Sequence, residues 1–270
     1  MLSYMAAYVE QGSTKIFKSR AKSTQSAPGT NVSASPSAPS ATTQRMVATI
    51  DPSASILLLP DPVTCFASSS YSQTQTFHLP AMSSIGGSSA IILDWFTSGR
   101  MARDEEWAFE RYRSCNEIWI GGRRVARDVM LLEQHAHTTF TSPPPPSAEF
   151  ESNEQRPPLA LPPRTLRSRL APYACYATLF LVGPLAAPII TSLSAQFAAI
   201  QQMQIATPDR LLWALSPLRV PTETPTAGGN QGAVVRVMGM ETELVREWLK
   251  AALRPLKDSI GTDAYRTAFM

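Results

Sequence analysis

Asp94 is the residue that asks most of the rest of this sequence. It interrupts the apolar run from Ile91 to Phe96, and an ionised carboxylate among buried groups must be paired or must reach water. Arg100, Arg103, Arg127 and Asp128 are the polar residues that can pair with it or share a polar cavity with it. Two expectations follow. Asp94 is either one member of an ion pair that fixes the hairpin after it, or it lines an internal, water-filled passage for a metal cation. His135 and His137 form an H-x-H pair. On an extended segment both imidazoles point to one side, where they can hold a divalent transition metal such as nickel. Beside a proline-rich stretch, and with no carboxylate close enough to complete a site, they read equally well as two solvated histidines. His78 alternates with the presumed core residues Phe77 and Leu79 and reads as a partly exposed strand residue, and Glu105 and Glu106 read as turn and surface charges.

Other chemistries are missing from the string. No G-x-x-x-x-G-K-[ST] loop is present to cradle phosphates, so nucleotide hydrolysis belongs to another protein. No G-x-S-x-G nucleophile elbow occurs, and three histidines are a thin supply of bases.

The elements that must position Asp94 are mostly strands. Apolar patterning places them at about Ile56–Leu59, Ser70–Leu79, Ala90–Phe96, Trp107–Arg113, Glu117–Ile120 and Arg123–Leu132. Gly121 and Gly122 supply the positive φ angles of a two-residue hairpin turn. In the second arm Val125, Val129 and Leu131 fit an alternating buried face interrupted at Arg127. Six strands without an intervening helix predict antiparallel pairing. Further on, a strand at Ala177–Val182 leads into a helix from about Leu185 to Gln204, with Ile189, Leu193, Phe197 and Ile200 on one face. Two more strands, Leu211–Pro217 and Ala233–Met238, precede a last helix that Thr242 can cap, with Leu244, Val245, Trp248, Leu249, Ala252 and Leu253 as its apolar stripe. These two helices offer more apolar surface than a thin layer can bury, so Leu193, Phe197 and Trp248 are candidates for a partner interface.

Residues 24–43 are rich in Ser, Pro, Ala and Thr and read as a flexible insertion, and 138–163 reads as a proline-rich linker or loop. The organisation expected is therefore a β-rich part at 1–137 and a mixed strand and helix part at 164–270 of the same domain.

Twenty-four basic residues against 21 acidic ones give a net charge of +3, which implies neither nucleic acid nor an anionic membrane as a partner. Cys65, Cys115 and Cys175 are odd in number and widely spaced, which fits a reducing cytosolic setting better than a disulfide framework or a zinc site. The uncharged stretch between Arg169 and Asp209 is broken by Pro172, Gly183, Pro184 and Pro188 and predicts a buried helix rather than a membrane span. A basic, serine-rich start also admits a transit-peptide reading, against which Glu10 and the segment that follows it stand.

The segment LDWFTSGRMARDEEWAFERYRSCNEIWIGGRRVARD closely resembles the urease accessory UreD family, also called UreH, in its fungal form. QGSTKIFKS at Gln11–Ser19, LLPDPVTCF at Leu58–Phe66, Tyr71–Leu79, YACYATLFLVGP at Tyr173–Pro184 and Trp248–Met270 are similar to family segments in the same order. The resemblance implies a scaffold in urease maturation without catalysis of its own. It implies binding to UreF, through UreF to the GTPase UreG, and to apo-urease. Nickel would be in transit through a polar tunnel with GTP consumed by the partner, and the chain would have no intrinsic cofactor. The implied fold is mainly β: a helically wound, largely antiparallel sheet with two α-helices toward the C-terminus. The early strands and the glycine-rich segment that precede QGSTKIFKS in the family are not seen upstream of it here, where MLSYMAAYVE stands instead, and the expectation is a sheet short of those strands. Two other classes remain open: a small metal-dependent hydrolase using Asp94, and a generic β-rich adaptor.

Overall fold

The computed structural model describes residues 5–8 (backbone only), 14–18, 41–81, 87–134, 164–200, 209–221 and 232–267. His135, His137, the 138–163 stretch and residues 24–40 of the expected insertion lie outside them; residues 42 and 43 belong to a strand.

The strands are β1 (Met5–Tyr8), β2 (Lys15–Ile16), β3 (Thr42–Thr49), β4 (Ser55–Leu58), β5 (Val63–Cys65), β6 (Ser70–Leu79), β7 (Ser89–Thr97), β8 (Gly99–Arg100), β9 (Glu105–Glu106), β10 (Arg111–Ile120), β11 (Arg123–Glu133), β12 (Cys175–Val182), β13 (Leu211–Leu218) and β14 (Gly232–Gly239). The helices are α1 (Leu166–Leu170), α2 (Ala187–Ala198), α3 (Thr242–Ala252), α4 (Lys257–Ile260) and α5 (Thr262–Thr267). A larger sheet runs β1-β4-β7-β12-β14-β13, with β5 also on β7 and β2 on β5, and a smaller sheet runs β11-β10-β6-β3. The fold is mainly β, with mixed sheets and its longer helices toward the C-terminus.

The expectation of antiparallel pairing fails for most of the first half. β1–β4, β2–β5, β3–β6, β4–β7, β5–β7 and β6–β10 are all parallel, and β10–β11 is the antiparallel pair among the longer strands of that half. Parallel neighbours normally need a helical crossover because the chain must return to its starting end. Here the return is made by strands: the chain steps between the sheets, from β3 to β4, from β5 to β6, to β7 and then to β10, so each sheet receives strands running the same way. The winding is helical, as expected, and it is what makes the pairing parallel.

Three further expectations are corrected. Trp107–Arg113 and Glu117–Ile120 are not two strands. One strand, β10, begins at Arg111, and Trp107 sits before it with φ 55° in the left-handed region. In β11 Val125 is half-buried against the inter-sheet cluster as expected, but Val129 and Leu131 are each 47% exposed, whereas Leu132 is buried and Ala126, Asp128 and Met130 are half-buried. A register shift between Ile118 and Trp119 leaves Val125 without a partner, and one extra residue reverses which side chains face inward. α2 stops at Ala198, so Ile200 is outside it and exposed, and α3 begins at Thr242 itself, with Glu241 at the N-cap position and no side-chain cap. The Gly121–Gly122 turn has φ of 55° and 76°, as the hairpin requires.

α2 and α3 cover the outer side of the larger sheet around Leu93, Leu179, Val235, Ile189 and Leu249. Between the sheets lie two more apolar clusters. One contains Phe77, Ile92, Ile118 and Phe180, and the other contains Phe96, Trp107, Tyr112 and Leu132. No described helix is long and apolar enough to cross a membrane.

Candidate functional site

What separates the two inter-sheet clusters is a polar layer, and it is built by strand alternation. On β7, Ile92 belongs to one apolar cluster and Phe96 to the other, while Asp94, of the same parity, lies between them. On β12 the corresponding series is Phe180, Thr178 and Tyr176, and on β10 it is Ile118, Asn116, Ser114 and Tyr112. On β6, Gln75 and Gln73 stand between Phe77 and Tyr71. Register then lines the polar residues up. Asp94, Thr178 and Arg236 form one rung across β7, β12 and β14, with Thr178 in the middle, and Gln75, Asn116 and Asp128 form another across β6, β10 and β11. Two polar rungs therefore face each other across the interior.

Asp94 receives three neutral donors from the opposite sheet. Ser114 Oγ donates to Oδ2 at 2.5 Å, Asn116 Nδ2 to the same oxygen at 2.6 Å, and Gln73 Nε2 to Oδ1 at 3.3 Å. No cation pairs with it among the described residues, so the ion-pair expectation is overturned. Arg100 instead donates through Nε to Glu105 at 2.8 Å and lies over the Phe66 ring, and Arg127 pairs with Glu117 on the far face of the smaller sheet at 3.3 Å. Burial raises the Asp94 carboxyl above the ordinary range, the Ser114, Asn116 and Gln73 hydrogen bonds oppose that rise, and the charge of Asp128 adds to it.

Two cavities flank this carboxylate, and Asp94 is the single described residue common to their linings. One, of about 290 Å³, extends toward β3 and β4 past Gln73, Gln75, Gln44 and Asp61. The other, of about 500 Å³, extends toward β11, β13 and β14 past Asp128, Thr178 and Arg236, among Phe96, Met130, Tyr176 and Met238. The surface Asp94 keeps therefore faces these clefts. At the rim Arg236 Nη2 meets Asp128 Oδ1 at 2.5 Å, and Thr178 Oγ1 donates to Asp128 Oδ2 at 3.4 Å. Asn116 Oδ1 and Gln75 Oε1 are buried without a hydrogen-bond partner among the described residues, two amide oxygens on one rung. Such oxygens, with a carboxylate, suit a hydrated divalent cation.

A sequence profile described as the UreD urease accessory protein family matches residues 5–268. This chain belongs to the UreD family. The chain is 33% identical over 254 residues to urease accessory protein 4 of Cryptococcus neoformans var. grubii, covering 90% of this chain and 67% of that one. It is 32% identical over 222 residues to the urease accessory protein UreD of Sorangium cellulosum, covering 82% of this chain and 56% of the relative. With urease accessory protein D of Oryza sativa subsp. indica the identity is 27% over 232 residues, covering 82% and 66%. The chain thus spans about two thirds or less of the length of these relatives.

Within this UreD-family fold the sequence-predicted residues separate. Asp94 and Asp128 border one cavity, whereas Arg100 and Arg127 are members of structural ion pairs elsewhere. Gln73, Gln75, Ser114, Asn116, Thr178 and Arg236 are not among the residues that the sequence reading singles out. The first four do carry a signal, since they share parity with Phe77 or Ile118 in strands that otherwise bury that face. Of the expected interface residues, Leu193 is 1% exposed in the core and is not available to a partner. Phe197 and Trp248 are half-buried, each about 5 Å by ring centroid from Trp213 on β13, which lies between them. Cys65, Cys115 and Cys175 are unpaired and buried, and burial pushes the thiols of Cys65 and Cys175 up to about 12, so these two are protonated and poor metal ligands at neutral pH.

The Asp128–Arg236 pair is half-open to solvent on the arginine side, so its expected contribution is small. Arg236→Met should lower unfolding free energy by about 0.5–1 kcal/mol in urea titrations at low salt, and by less at high salt. An unchanged midpoint at low salt would mean that the pair contributes nothing to stability.

Proposed function

We propose that this UreD-family chain is a non-catalytic scaffold of urease maturation that binds UreF and apo-urease and conducts nickel past Asp94. The observation that carries the reading is the placement of a half-buried carboxylate, held by neutral donors among the described residues, on the lining of two clefts. A carboxylate neutralised by an arginine would have no charge to offer a passing cation. One hydrogen-bonded by Ser114, Asn116 and Gln73 keeps its acceptor character, while Gln75 and Asn116 add oxygens on the same rung. Nickel is cargo in this scheme. The chain's own residues orient it, and GTP is used by UreG, reached through UreF. Family membership supports the urease context, and the unpaired, buried cysteines support a reducing, cytoplasmic setting. The hydrolase alternative draws no support from the described residues, among which no three His, Cys, Asp or Glu side chains gather.

The test is reconstitution. The chain, mixed with the UreF homologue and apo-urease of the same organism, is expected to co-elute with both, and adding UreG, GTP and nickel should then produce urease activity. A monodisperse monomer that ignores UreF and apo-urease would remove the basis of the scaffold reading.

A further inference from the structure

The smaller sheet turns its inner face to the polar layer and the two apolar clusters, and its outer face carries exposed Val47, Val129 and Leu131. Parallel strands are rarely left open on one side. Yet β3, β6 and β10 are parallel to one another, and α2 and α3 are both committed to the other sheet. The outer positions form a grid. Val47, Thr76, Glu117 and Arg127 make one rung, and Arg45, Thr74, Cys115 and Val129 the next. Thr43, Ser72, Arg113 and Leu131 form the third. Val47 is 57% exposed and Val129 and Leu131 47% each, around a buried Cys115. His78 and Trp119 pack against each other at 6.0 Å at one end.

The charge on this face is one-sided. Arg45, Arg111, Arg113, Arg124 and Arg127 stand against Glu117 and Glu133 alone. Glu133 is taken by Arg111 at 2.7 Å, and Glu117 is shared between Arg124 at 3.1 Å and Arg127 at 3.3 Å. Arg45 and Arg113 have no carboxylate partner among the described residues, and Arg113 reaches only Thr74 Oγ1 at 3.4 Å. Four strands about 4.8 Å apart and eight to eleven residues long span roughly 500–700 Å². That is most of the ~800 Å² per side of a standard protein interface.

We propose that the outer face of β3, β6, β10 and β11 docks a folded protein surface that is apolar at its centre and carries carboxylates opposite Arg45 and Arg113. The assignment deepens the scaffold reading and rests on it. Exposed aliphatic side chains at Val47, Val129 and Leu131 match the dry centre of a protein interface, and the unpaired guanidiniums match a carboxylate rim. A nucleic acid would use the arginines and leave the aliphatic centre uncovered.

The probes are the purified UreF homologue and apo-urease, each titrated against the full chain at low and moderate salt. Arg45→Glu/Arg113→Glu is expected to weaken one of them about tenfold or more and to reduce the salt dependence of its binding. Val129→Ser/Leu131→Ser should weaken the same partner at both salt concentrations, and Lys257→Glu, on the helical layer of the other sheet, should not. Thermal melts of all three variants should stay within a few degrees of wild type, as expected for exposed positions. If both face variants bind both probes like wild type, the assignment is wrong while the scaffold reading stands. If the wild-type chain binds neither probe, the scaffold reading fails and this assignment fails with it. If it binds a short DNA duplex tightly through Arg45 and Arg113, the face belongs to nucleic acid instead.

Discussion

Asp94→Asn is expected to abolish most nickel-dependent urease activation, at least tenfold, while leaving the chain folded and its complexes intact. The reason lies in the partners of the carboxylate. Ser114, Asn116 and Gln73 are neutral donors, so removing the charge strands no buried cation. Asparagine occupies the same volume and can exchange hydrogen bonds with Ser114 and a flipped Asn116. The same substitution carries a pH signature. Burial raises the folded-state carboxyl above its unfolded value of 3.8. Its stabilising contribution is therefore complete below that value and is lost as pH rises through the folded-state value. Wherever Asp94 is ionised, wild type bears the cost of a desolvated charge, and the variant does not. The melting temperature of Asp94→Asn relative to wild type should accordingly become more favourable as pH rises from 3.8 toward neutrality. Activation assays at matched complex concentration, beside thermal melts across that range, check both halves. Parallel loss of soluble complex and activity would make Asp94 a structural residue only.

The second large effect concerns Gly99, in the turn that follows β7. Its φ is 126°, and a Cβ placed there would lie 2.2 Å from the carbonyl oxygen of Glu105 and 3.2 Å from that of Cys65. Both obstacles are backbone, so neither can rotate away. That close approach lets Gly99 pair with Glu106, brings Arg100 onto Glu105, and lets Glu105 Oε2 accept from Ala67 N at 3.2 Å. The hydrogen bond from the Arg100 guanidinium, more than any other contact, holds the Glu105 carboxyl below the usual carboxylate range. Gly99→Ala should cost about 2–4 kcal/mol, a large share of a net stability of roughly 5–15 kcal/mol, and lower the melting temperature by about 5–15 °C. Gly122 provides the control. Its φ is 76°, but nothing lies within 4 Å of where an alanine methyl would sit, so Gly122→Ala should cost only about 1–2 kcal/mol from the left-handed backbone itself. Equal losses for the two variants would show that close packing at Gly99 is unimportant.

The elements themselves are legible because local signals fix them. Alternation and turn glycines locate β6, β7, β11, β12, β13 and β14 to within a residue or two, and the family wording points to a wound β fold with late helices. What local pattern cannot carry is the identity of a strand's neighbour. Parallel pairing of β6 with β10 arises because the chain changes sheets between them, and nothing within either strand encodes that step. The inward side of β11 is hidden from its own sequence for a related reason. A one-residue bulge opposite Ile118 and Trp119 reverses parity, and its position is set by the partner strand.

The string of residues suffices to put a carboxylate in an apolar strand, to close a hairpin at Gly121 and Gly122, and to place the wording with UreD. What surrounds that carboxylate is a property of the folded chain. Asp94 lies 20 to 22 residues from Ser114 and Asn116 and 21 from Gln73, and it meets them because two sheets stack with polar residues at the same level. The charged residues that look like its partners, Arg100 and Arg127, are turned to Glu105 and Glu117 by a turn and by strand parity. Proximity in the chain sets which side chains share a strand; the stacking of sheets sets which of them share a dielectric and a cavity, and the chemistry of Asp94 depends on the second.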